Sequence, residues 1–478
     1  MAASADSGPD SSAALSRILN EKRCPEHLQV LKTFSTAFRG KENRDAAEEE
    51  VFSGLFKVVS GLCDDLQAVG IEARGLQLQL TAECFRALRN ACVQNSRNQN
   101  VLRELGFIEA SVRILSCLQS SGPDSRCDRC EPLRCGIQFL GNLAVANQTC
   151  KDDIWRLTFP DLILKLLHVA DDTAVNYASM VLHTCLDEAK AERLSEPQNL
   201  PVALRVMALC RTRSDLDWTV LVATEHLLKS SSLVESLYAA MPHLERVALL
   251  KLILARLKED PDRWRVAPGV ARFLSGAFQK GCGAVLTLAV GSASSDEVVP
   301  EVLTVTSLLD VLCEMTSDHE QFMFLQNDPG LLAATVALLG QVHAVGKAGG
   351  NVFSAAQDFS SFGEDSSSDS PVVSFKAHLI RLIGNLCHGN AGNQDKVREL
   401  EGLALILDNC NIDSNNPFIG QWAVFAIRNL LEHNQQNQRL VAALEARGAA
   451  DYSALGQLGF QVEQRDGTLL LRPTSKDC

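Results

Sequence analysis

Apolar residues recur at helical spacing along almost the whole chain, beginning near Leu15. They fall at intervals of three and four residues in segments separated by short breaks, which predicts amphipathic α-helices rather than strands. Glycine ends several of these segments, as at Gly106 and Gly402, because it accepts a positive φ without steric cost. The pattern changes in the tail, where apolar residues alternate on both sides of Asp466-Gly467 and predict a two-residue β-hairpin.

A polar motif is superimposed on the helical pattern at regular places. It reads apolar-x-Asn-x4-Asn-x2-Asn-Gln, and three copies begin at Asn90, Asn385 and Asn429. A fourth copy, at Asn142, has a turn three residues shorter. The leading asparagines of the last two copies are 429 − 385 = 44 residues apart, which is the period of helical repeats of the armadillo and HEAT type. The sequence therefore predicts an all-α fold, a right-handed armadillo/HEAT-like α-solenoid with a small carboxy-terminal β-hairpin as its cap.

Composition divides the chain into five predicted parts. They are a disordered amino terminus (1–14), amino-terminal and central armadillo-like repeats (15–345), an acidic serine-rich disordered loop (346–373), carboxy-terminal armadillo repeats (374–450) and a tail with the hairpin (451–478). Residues 170–300 keep helical spacing but lose the asparagines, so their repeat boundaries stay open. In the acidic loop, Ser361 and Ser366 are candidate sites for an acidophilic kinase, and an unmodified solvated linker is the alternative.

Charge and hydropathy narrow the class of partner. The formal net charge is −13, which argues against broad binding to nucleic acid or anionic membranes because both need clustered Lys and Arg. We therefore expect protein partners, no nucleic acid and no membrane insertion. The longest uncharged apolar run, 329–346, predicts a buried solenoid helix better than a membrane span, for which about 20 apolar residues are usual.

The cysteines and the amino terminus indicate a compartment. Most of the 16 cysteines lie within apolar helical patterns, where a free thiol behaves as a small hydrophobic group. The first residues show neither the basic nor the apolar stretch of a signal peptide. Together these features predict a reducing, intracellular environment.

Catalytic and metal-binding motifs are weak. The best metal candidate is Cys127-x2-Cys130-x4-Cys135, but no second Cys or His pair stands at the distance that a zinc site of this type needs. The chain contains neither HExxH nor GxSxG. We therefore expect no metal, no cofactor and no enzymatic activity.

The arrangement of a helix, a glycine and two further helices with a central asparagine resembles the armadillo repeat. In peptide-binding members of that superfamily, the asparagine lines a concave groove and binds the backbone of an extended peptide. The resemblance carries this role to Asn90, Asn142, Asn385 and Asn429. The alternative is structural, in which each asparagine ties its helix to the neighbouring repeat.

The position four residues before each asparagine tests which ligands fit. Nuclear-import members of the superfamily carry Trp there, whereas this chain has Arg86, Gln138, Arg381 and Phe425. The difference argues against recognition of nuclear import signals. Arg86, Arg381 and Phe425 join the four asparagines as candidate protein-binding residues on the concave face.

Four longer runs resemble the ataxin-10 family. They are LTAECFRALRNAC (80–92), RCGIQFLGNLA (134–144), LLDVLCEMT (308–316) and SFKAHLIRLIGNLCHGNAGNQDKVREL (374–400). The resemblance implies a non-catalytic scaffold protein. It implies a location in the cytoplasm and around the nucleus, and also at the centrosome, midbody or cilium base. It implies roles in neurite outgrowth, neuron survival, cytokinesis and cilium assembly, with a G-protein β subunit and the O-GlcNAc transferase as partners. The alternative is a structural solenoid that associates with itself into homo-oligomers and binds no peptide in a groove.

Overall fold

The computed structural model describes residues 24–68, 75–120, 126–213, 215–259, 266–290, 298–318, 320–355, 371–410, 413–445, 460–465 and 468–473. The chain divides into two compact units, Met1–Ala240 and Met241–Cys478. The boundaries predicted from composition do not include this division. Both units are built from helices joined by short turns.

The first unit holds fourteen α-helices in its described residues, and 3-10 turns lie at Arg193–Ser195 and Leu227–Lys229. The helices are α1 (Pro25–Ala37), α2 (Lys41–Asp45), α3 (Glu49–Ala68), α4 (Gly75–Ala91), α5 (Ser96–Glu104), α6 (Phe107–Ser120), α7 (Arg126–Ala144), α8 (Gln148–Thr158), α9 (Asp161–Leu166), α10 (Asp172–Cys185), α11 (Glu188–Glu192), α12 (Leu200–Thr212), α13 (Asp217–Glu225) and α14 (Ser231–Ala240).

The second unit holds nine α-helices and two strands in its described residues, and 3-10 helices lie at Cys282–Val290 and Met323–Asn327. The elements are α15 (His243–Glu259), α16 (Pro268–Gly281), α17 (Val298–Ser317), α18 (Pro329–Ala348), α19 (Phe375–Cys387), α20 (Ala391–Glu399), α21 (Gly402–Asp408), α22 (Ile419–Leu431), α23 (Gln435–Glu445), β1 (Phe460–Arg465) and β2 (Thr468–Pro473).

One helix from each repeat packs side by side with its counterpart in the next repeat, and we call these the ladder helices. In the first unit they are α1, α4, α7, α10 and α13, and in the second they are α15, α17, α19 and α22. Within each unit, successive ladder helices contact each other. Stacking of this kind, in which a repeat packs mainly on its neighbours, defines an α-solenoid and confirms the predicted all-α fold.

The remaining helices cover the ladder and close the core. In the first unit, α6 packs against α3, α7 and α8. Phe107 on α6 meets Phe139 on α7 edge to face, with ring centroids 6.4 Å apart, and Phe139 stacks on Phe85 of α4 at 6.1 Å. All three rings are buried, so these aromatic contacts lie where successive repeats meet.

The apolar spacing of residues 270–288 indicates one continuous helix, but the structure changes helix type within it. The α-helix ends at Gly281, and Cys282–Val290 continues as a 3-10 helix. Gly281 and Gly283 stand at the change, and glycine lowers α-helical stability because it loses the most backbone freedom on folding. The apolar spacing alone could not distinguish the two helix types.

The first residues of the predicted acidic loop, 346–373, belong to helix α18. Helix α18 continues to Ala348 and ends at Gly349, whose φ of 77° is left-handed. Phe353 and Val372 are buried on either side of the loop. Ser361 and Ser366 lie outside the described residues, as does the predicted disordered amino terminus.

The tail contains the predicted hairpin. Strands β1 and β2 pair antiparallel, with Phe460 opposite Pro473 and Arg465 opposite Thr468. The Asp466-Gly467 turn lies outside the described residues. The role of the hairpin as a cap stays a prediction.

Helix α18 is the one helix among the described residues that is long and apolar enough to cross a membrane, by length and composition alone. A core helix passes the same test. Its Leu332, Val336 and Leu339 side chains are buried, and the helix packs against α16 and α19. Packing within the second unit accounts for its apolar character.

Helices α19 and α22 approach each other closely at Gly384. A methyl group there would lie 2.9 Å from the Phe425 ring and 3.1 Å from the Ala426 backbone of α22. We expect Gly384→Ala to lower the free energy of unfolding by about 1–3 kcal/mol, because the methyl group overpacks the α19–α22 contact. Urea unfolding followed by circular dichroism measures the change.

Gly276→Ala is the matched control, because its methyl group would meet nothing within 4 Å in the middle of α16. We expect a gain of about 0.5–1 kcal/mol from the better helix former. Equal effects of the two substitutions would contradict the close approach at Gly384.

Candidate protein-interaction face on the ladder helices

Each ladder asparagine donates a hydrogen bond from Nδ2 to a backbone carbonyl of the ladder helix before it. The pairs are Asn90 to Ser35 (2.8 Å), Asn142 to Arg89 (3.2 Å), Asn385 to Cys313 (3.1 Å) and Asn429 to Gly384 (3.0 Å). The same bond therefore joins α1 to α4, α4 to α7, α17 to α19 and α19 to α22. This geometry supports the structural interpretation, and a role in groove binding stays a prediction.

Burial separates the asparagines of the two units. Asn385 and Asn429 are each 3% exposed, and Asn385 also donates to the Thr316 hydroxyl at 3.0 Å. Asn90 and Asn142 are half-buried. The ladder asparagines of the first unit are thus less buried than those of the second.

The asparagines of the turns cap the helices that follow. Asn95, Asn147, Asn390 and Asn434 each accept a hydrogen bond from a backbone N–H three residues further on. This is the usual way in which an asparagine satisfies the free donors at a helix amino terminus. These bonds give the turn asparagines a structural role, and because Asn147 caps at the same offset as the other three, the predicted shorter turn after Asn142 is wrong.

Three glutamines reach forward to the last turn of the next ladder helix, and we call them the forward glutamines. Their Nε2 atoms donate to backbone carbonyls in the last turn, where a helix leaves carbonyls without an i+4 partner; the Asn385 carbonyl also accepts the His388 N–H. The bonds are Gln99 to Asn142 O (3.0 Å), Gln326 to Asn385 O (3.1 Å) and Gln394 to Asn429 O (2.9 Å).

Gln326 corrects the alignment of the repeat that contains α17. The sequence alignment puts Glu320 in the glutamine position, whereas the structure puts Gln326 there, 326 − 320 = 6 residues later. The turn after α17 is longer than in the other copies, and a 3-10 helix carries the glutamine. Gln326 is followed by Asn327, so the Asn-Gln pair of the motif is present here in reverse order. A search for Asn-Gln therefore does not find it.

The structure also fixes the register of α10, which the sequence leaves open. A methyl group on Gly141 would meet Met180 of α10, as one on Gly384 would meet Phe425 of α22. The ladder asparagine of α22 lies four residues after Phe425, so Thr184, four residues after Met180, holds the same place on α10. The Thr184 hydroxyl donates to the Met180 carbonyl at 2.8 Å. This side chain bonds its own helix instead of the ladder helix before it.

Arg86 is held in place by two carboxylates in the first unit. Its guanidinium forms ion pairs with Glu83, at 2.7 Å, and with Glu131. Glu83 is buried and also accepts a hydrogen bond from the Ser35 hydroxyl. Burial alone would lower the pKa of Arg86, but the hydrogen bonds to Glu83 and Glu131 raise it. Arg86 therefore neutralises a buried carboxylate as well as facing solvent.

Arg381 takes part in a similar group in the second unit. The guanidinium lies 3.3 Å from Glu314 of α17 and 4.9 Å from the ring centroid of Trp422 on α22. Phe425 meets Trp422 edge to face at 5.8 Å. The structure thus brings the predicted residues Arg381 and Phe425 together around Trp422, and this group spans three successive ladder helices.

Trp422 is a residue that the sequence reasoning missed. It lies seven residues before Asn429, and His378 lies seven residues before Asn385. His378 pairs with Asp310 of α17 at 2.7 Å. Both residues lie one helical turn before the positions four residues ahead of each asparagine. A comparison of the copies at this second position would have pointed to Trp422.

The cysteines of the described residues are free thiols. Burial raises the pKa of Cys150 to about 11 and that of Cys185 to about 12. Thiols of this kind stay protonated and pack as small apolar groups. The side chain of Cys127, the first residue of the metal candidate, lies outside the described residues.

The chain is similar to known proteins both in one family domain and over nearly its whole length. The family model described as "Spinocerebellar ataxia type 10 protein domain" matches residues 375–472. Ataxin-10 of Xenopus tropicalis is 43% identical over 458 residues, covering 94% of this chain and 92% of its own. Ataxin-10 of Homo sapiens is 38% identical over 460 residues, covering 94% of each chain.

A solved structure of a designed armadillo repeat protein is also similar. It aligns with a TM-score of 0.34 at 14% identity and covers 63% of this chain and 100% of its own. We draw no conclusion about the fold from a likeness at this level.

The ladder bonds predict a stability cost that follows burial. We expect Asn385→Ala to lower the free energy of unfolding by about 1–3 kcal/mol, because it leaves buried acceptors without a donor. Asn142→Ala removes a half-buried bond, and we expect a loss of about 0.5–1.5 kcal/mol. Urea midpoints of the two variants give the comparison, and a larger loss for Asn142→Ala would contradict it.

Proposed function

The chain belongs to the ataxin-10 family, and we propose that it is a non-catalytic scaffold that holds partner proteins on the solvent side of its ladder helices. Family membership supports an interaction role in general terms, since the match covers 94% of this chain and 92–94% of the two relatives compared. The observation on which the proposed location of the binding surface rests is the group formed by Glu314, Arg381 and Trp422.

This group has the composition of a protein-binding centre. Trp and Arg are enriched among the residues that dominate binding energy at interfaces. Arg381 and Trp422 are half-buried, so neighbouring side chains fix their positions while part of each stays accessible. A surface that is already ordered loses less conformational entropy when a partner binds.

The first unit offers a second, more polar part of the proposed surface. Arg86 and Arg89 are half-buried on α4, and Arg89 donates to Gln138 of α7 at 2.5 Å. Asn90 and Asn142 lie beside them with partly exposed amides. Guanidinium and amide groups in this arrangement suit an extended peptide, because they bind its backbone groups and its acidic side chains.

The finer roles are proposals that rest on the family resemblance. They are neurite outgrowth and neuron survival, cytokinesis, and cilium assembly, in a cytoplasmic and perinuclear location that extends to the centrosome, midbody or cilium base. The proposed partners are a G-protein β subunit and the O-GlcNAc transferase. Purified candidates tested for direct binding to the full chain would support or remove each one.

Truncation of Trp422 tests the surface. We expect Trp422→Ala to weaken capture of specific partners from cytosol by about tenfold or more, because it removes the ring on which Arg381 rests. Arg428→Ala is the matched control, since Arg428 is exposed on the same helix. Quantitative mass spectrometry of pull-downs measures both, after circular dichroism shows equal helicity.

Arg86→Ala extends the test to the first unit. Alanine removes the guanidinium but also leaves the buried Glu83 carboxylate without its cation, so the binding result counts only when circular dichroism shows the helicity of the wild type. Partners that persist with both Trp422→Ala and Arg86→Ala would show that binding uses another surface.

Self-association is a second candidate, favoured by exposed apolar side chains on α22. Phe418 is 71% exposed and Val424 is 70% exposed, which is unusual for large apolar groups near the end of a helical array. We expect light scattering of the full chain to show concentration-dependent oligomers that a Phe418→Ser, Val424→Ser variant loses. A constant monomer mass at high micromolar concentration would remove this candidate.

A further inference from the structure

Two histidines and a glutamate meet between neighbouring ladder helices of the first unit. His183 lies on α10, Glu225 is the last residue of α13, and His226 caps that helix. His183 Nε2 is 2.9 Å from Glu225 Oε2. One ligand-type atom from each residue lies within 4.8 Å of the other two. The two imidazole rings are 4.9 Å apart and nearly perpendicular.

An ordinary ion pair does not account for His226. Its Nε2 atom is buried and has no hydrogen-bond partner among the described residues. Burial lowers the pKa of His226 to about 4, and the neighbouring His183 acts in the same direction. A buried polar atom without a partner costs free energy, and a neutral imidazole nitrogen is a ligand for transition metals.

We propose that His183, Glu225 and His226 bind one Zn²⁺ ion. Two imidazoles and one carboxylate form a donor set found in zinc proteins, with a fourth, tetrahedral position left to solvent. Mg²⁺ and Ca²⁺ prefer sites made of oxygen ligands, and this cluster offers one carboxylate. The proposal stands independently of the scaffold function.

The geometry requires only a small adjustment. Zn–N and Zn–O bonds of about 2.0–2.2 Å place tetrahedral ligand atoms about 3.3 Å apart. The separations in the cluster run from 2.9 Å to at most 4.8 Å. Glu225 has a side chain that is 43% exposed, so its carboxylate has room to rotate toward the ion. Lys229 and Asp187 are the other charged groups that act on His226, and their effects on it are opposite in sign.

The place of the cluster gives the ion a structural task. It lies between α10 and α13, in the part of the chain where the ladder asparagines are lost and Thr184 bonds its own helix. Two further polar links join these two helices, Ser179 to Thr219 at 2.9 Å and Trp218 N to Asn176 Oδ1 at 3.1 Å. A Zn²⁺ ion would join the ends of the same two helices.

Zinc titration of the full, reduced chain after chelator treatment tests the site. We expect the wild type to bind one equivalent more than His226→Gln, with an affinity loss of at least about 100-fold for that equivalent, since even outer partners of zinc ligands are worth about 10–100-fold. His168→Gln is the matched control, because His168 is exposed and its Nδ1 atom lies 2.7 Å from the Leu164 carbonyl of α9. It should retain the equivalent.

Two further readouts keep cysteine binding and misfolding apart from the proposal. Co²⁺ in the site should give a spectrum without thiolate charge transfer, and His226→Gln should lose it. Zn²⁺ should also slow amide exchange in Asp172–Cys185 and Asp217–Glu225 of the wild type, which needs no variant. Equal zinc binding by wild type and His226→Gln, or unchanged exchange in both helices, would overturn the proposal.

Discussion

The structure depends on side-chain amides that bond the backbone of the neighbouring repeat. A solenoid buries its apolar groups between repeats, but apolar packing alone does not fix how far one helix slides along the next. The bond from Asn429 to Gly384 sets that register in the second unit, and the bond from Asn90 to Ser35 sets it in the first. Forward glutamines such as Gln394 then occupy the free carbonyls at the helix ends. The motif is therefore visible in the sequence because each amide has a fixed partner.

Where the amides are lost, other polar groups take over the contact. On α10 the ladder position is Thr184, and His183 beside it pairs with Glu225 of α13. The substitution explains why spacing alone leaves residues 170–300 without a register. Hydroxyl and imidazole groups appear in many structural settings, so they carry no periodic signal of their own, whereas Asn and Gln at fixed offsets do.

The sequence predicts the helical class, the repeat and the caps, because these follow from local patterns. It does not predict contacts that depend on distance along the chain. Gln326 is displaced by a longer turn, and Trp422 meets Arg381 only through helix stacking. His183 and His226 are 226 − 183 = 43 residues apart and become neighbours only because α10 packs on α13. The predicted arginines are present on the ladder, but their ion pairs with Glu83 and Glu314 needed coordinates.

The forward glutamines give the array a polarity. Gln99 and Gln394 each belong to one repeat and satisfy carbonyls in the last turn of the next. Removing a following repeat leaves a glutamine side chain that water can solvate, whereas removing a preceding repeat leaves helix-end carbonyls without their donor. Fraying that starts at the amino-terminal side of such a junction therefore weakens the neighbour more than fraying that starts on the carboxy-terminal side. Shortened forms of the chain are not equivalent, and those that keep the earlier repeats retain the better-satisfied helices.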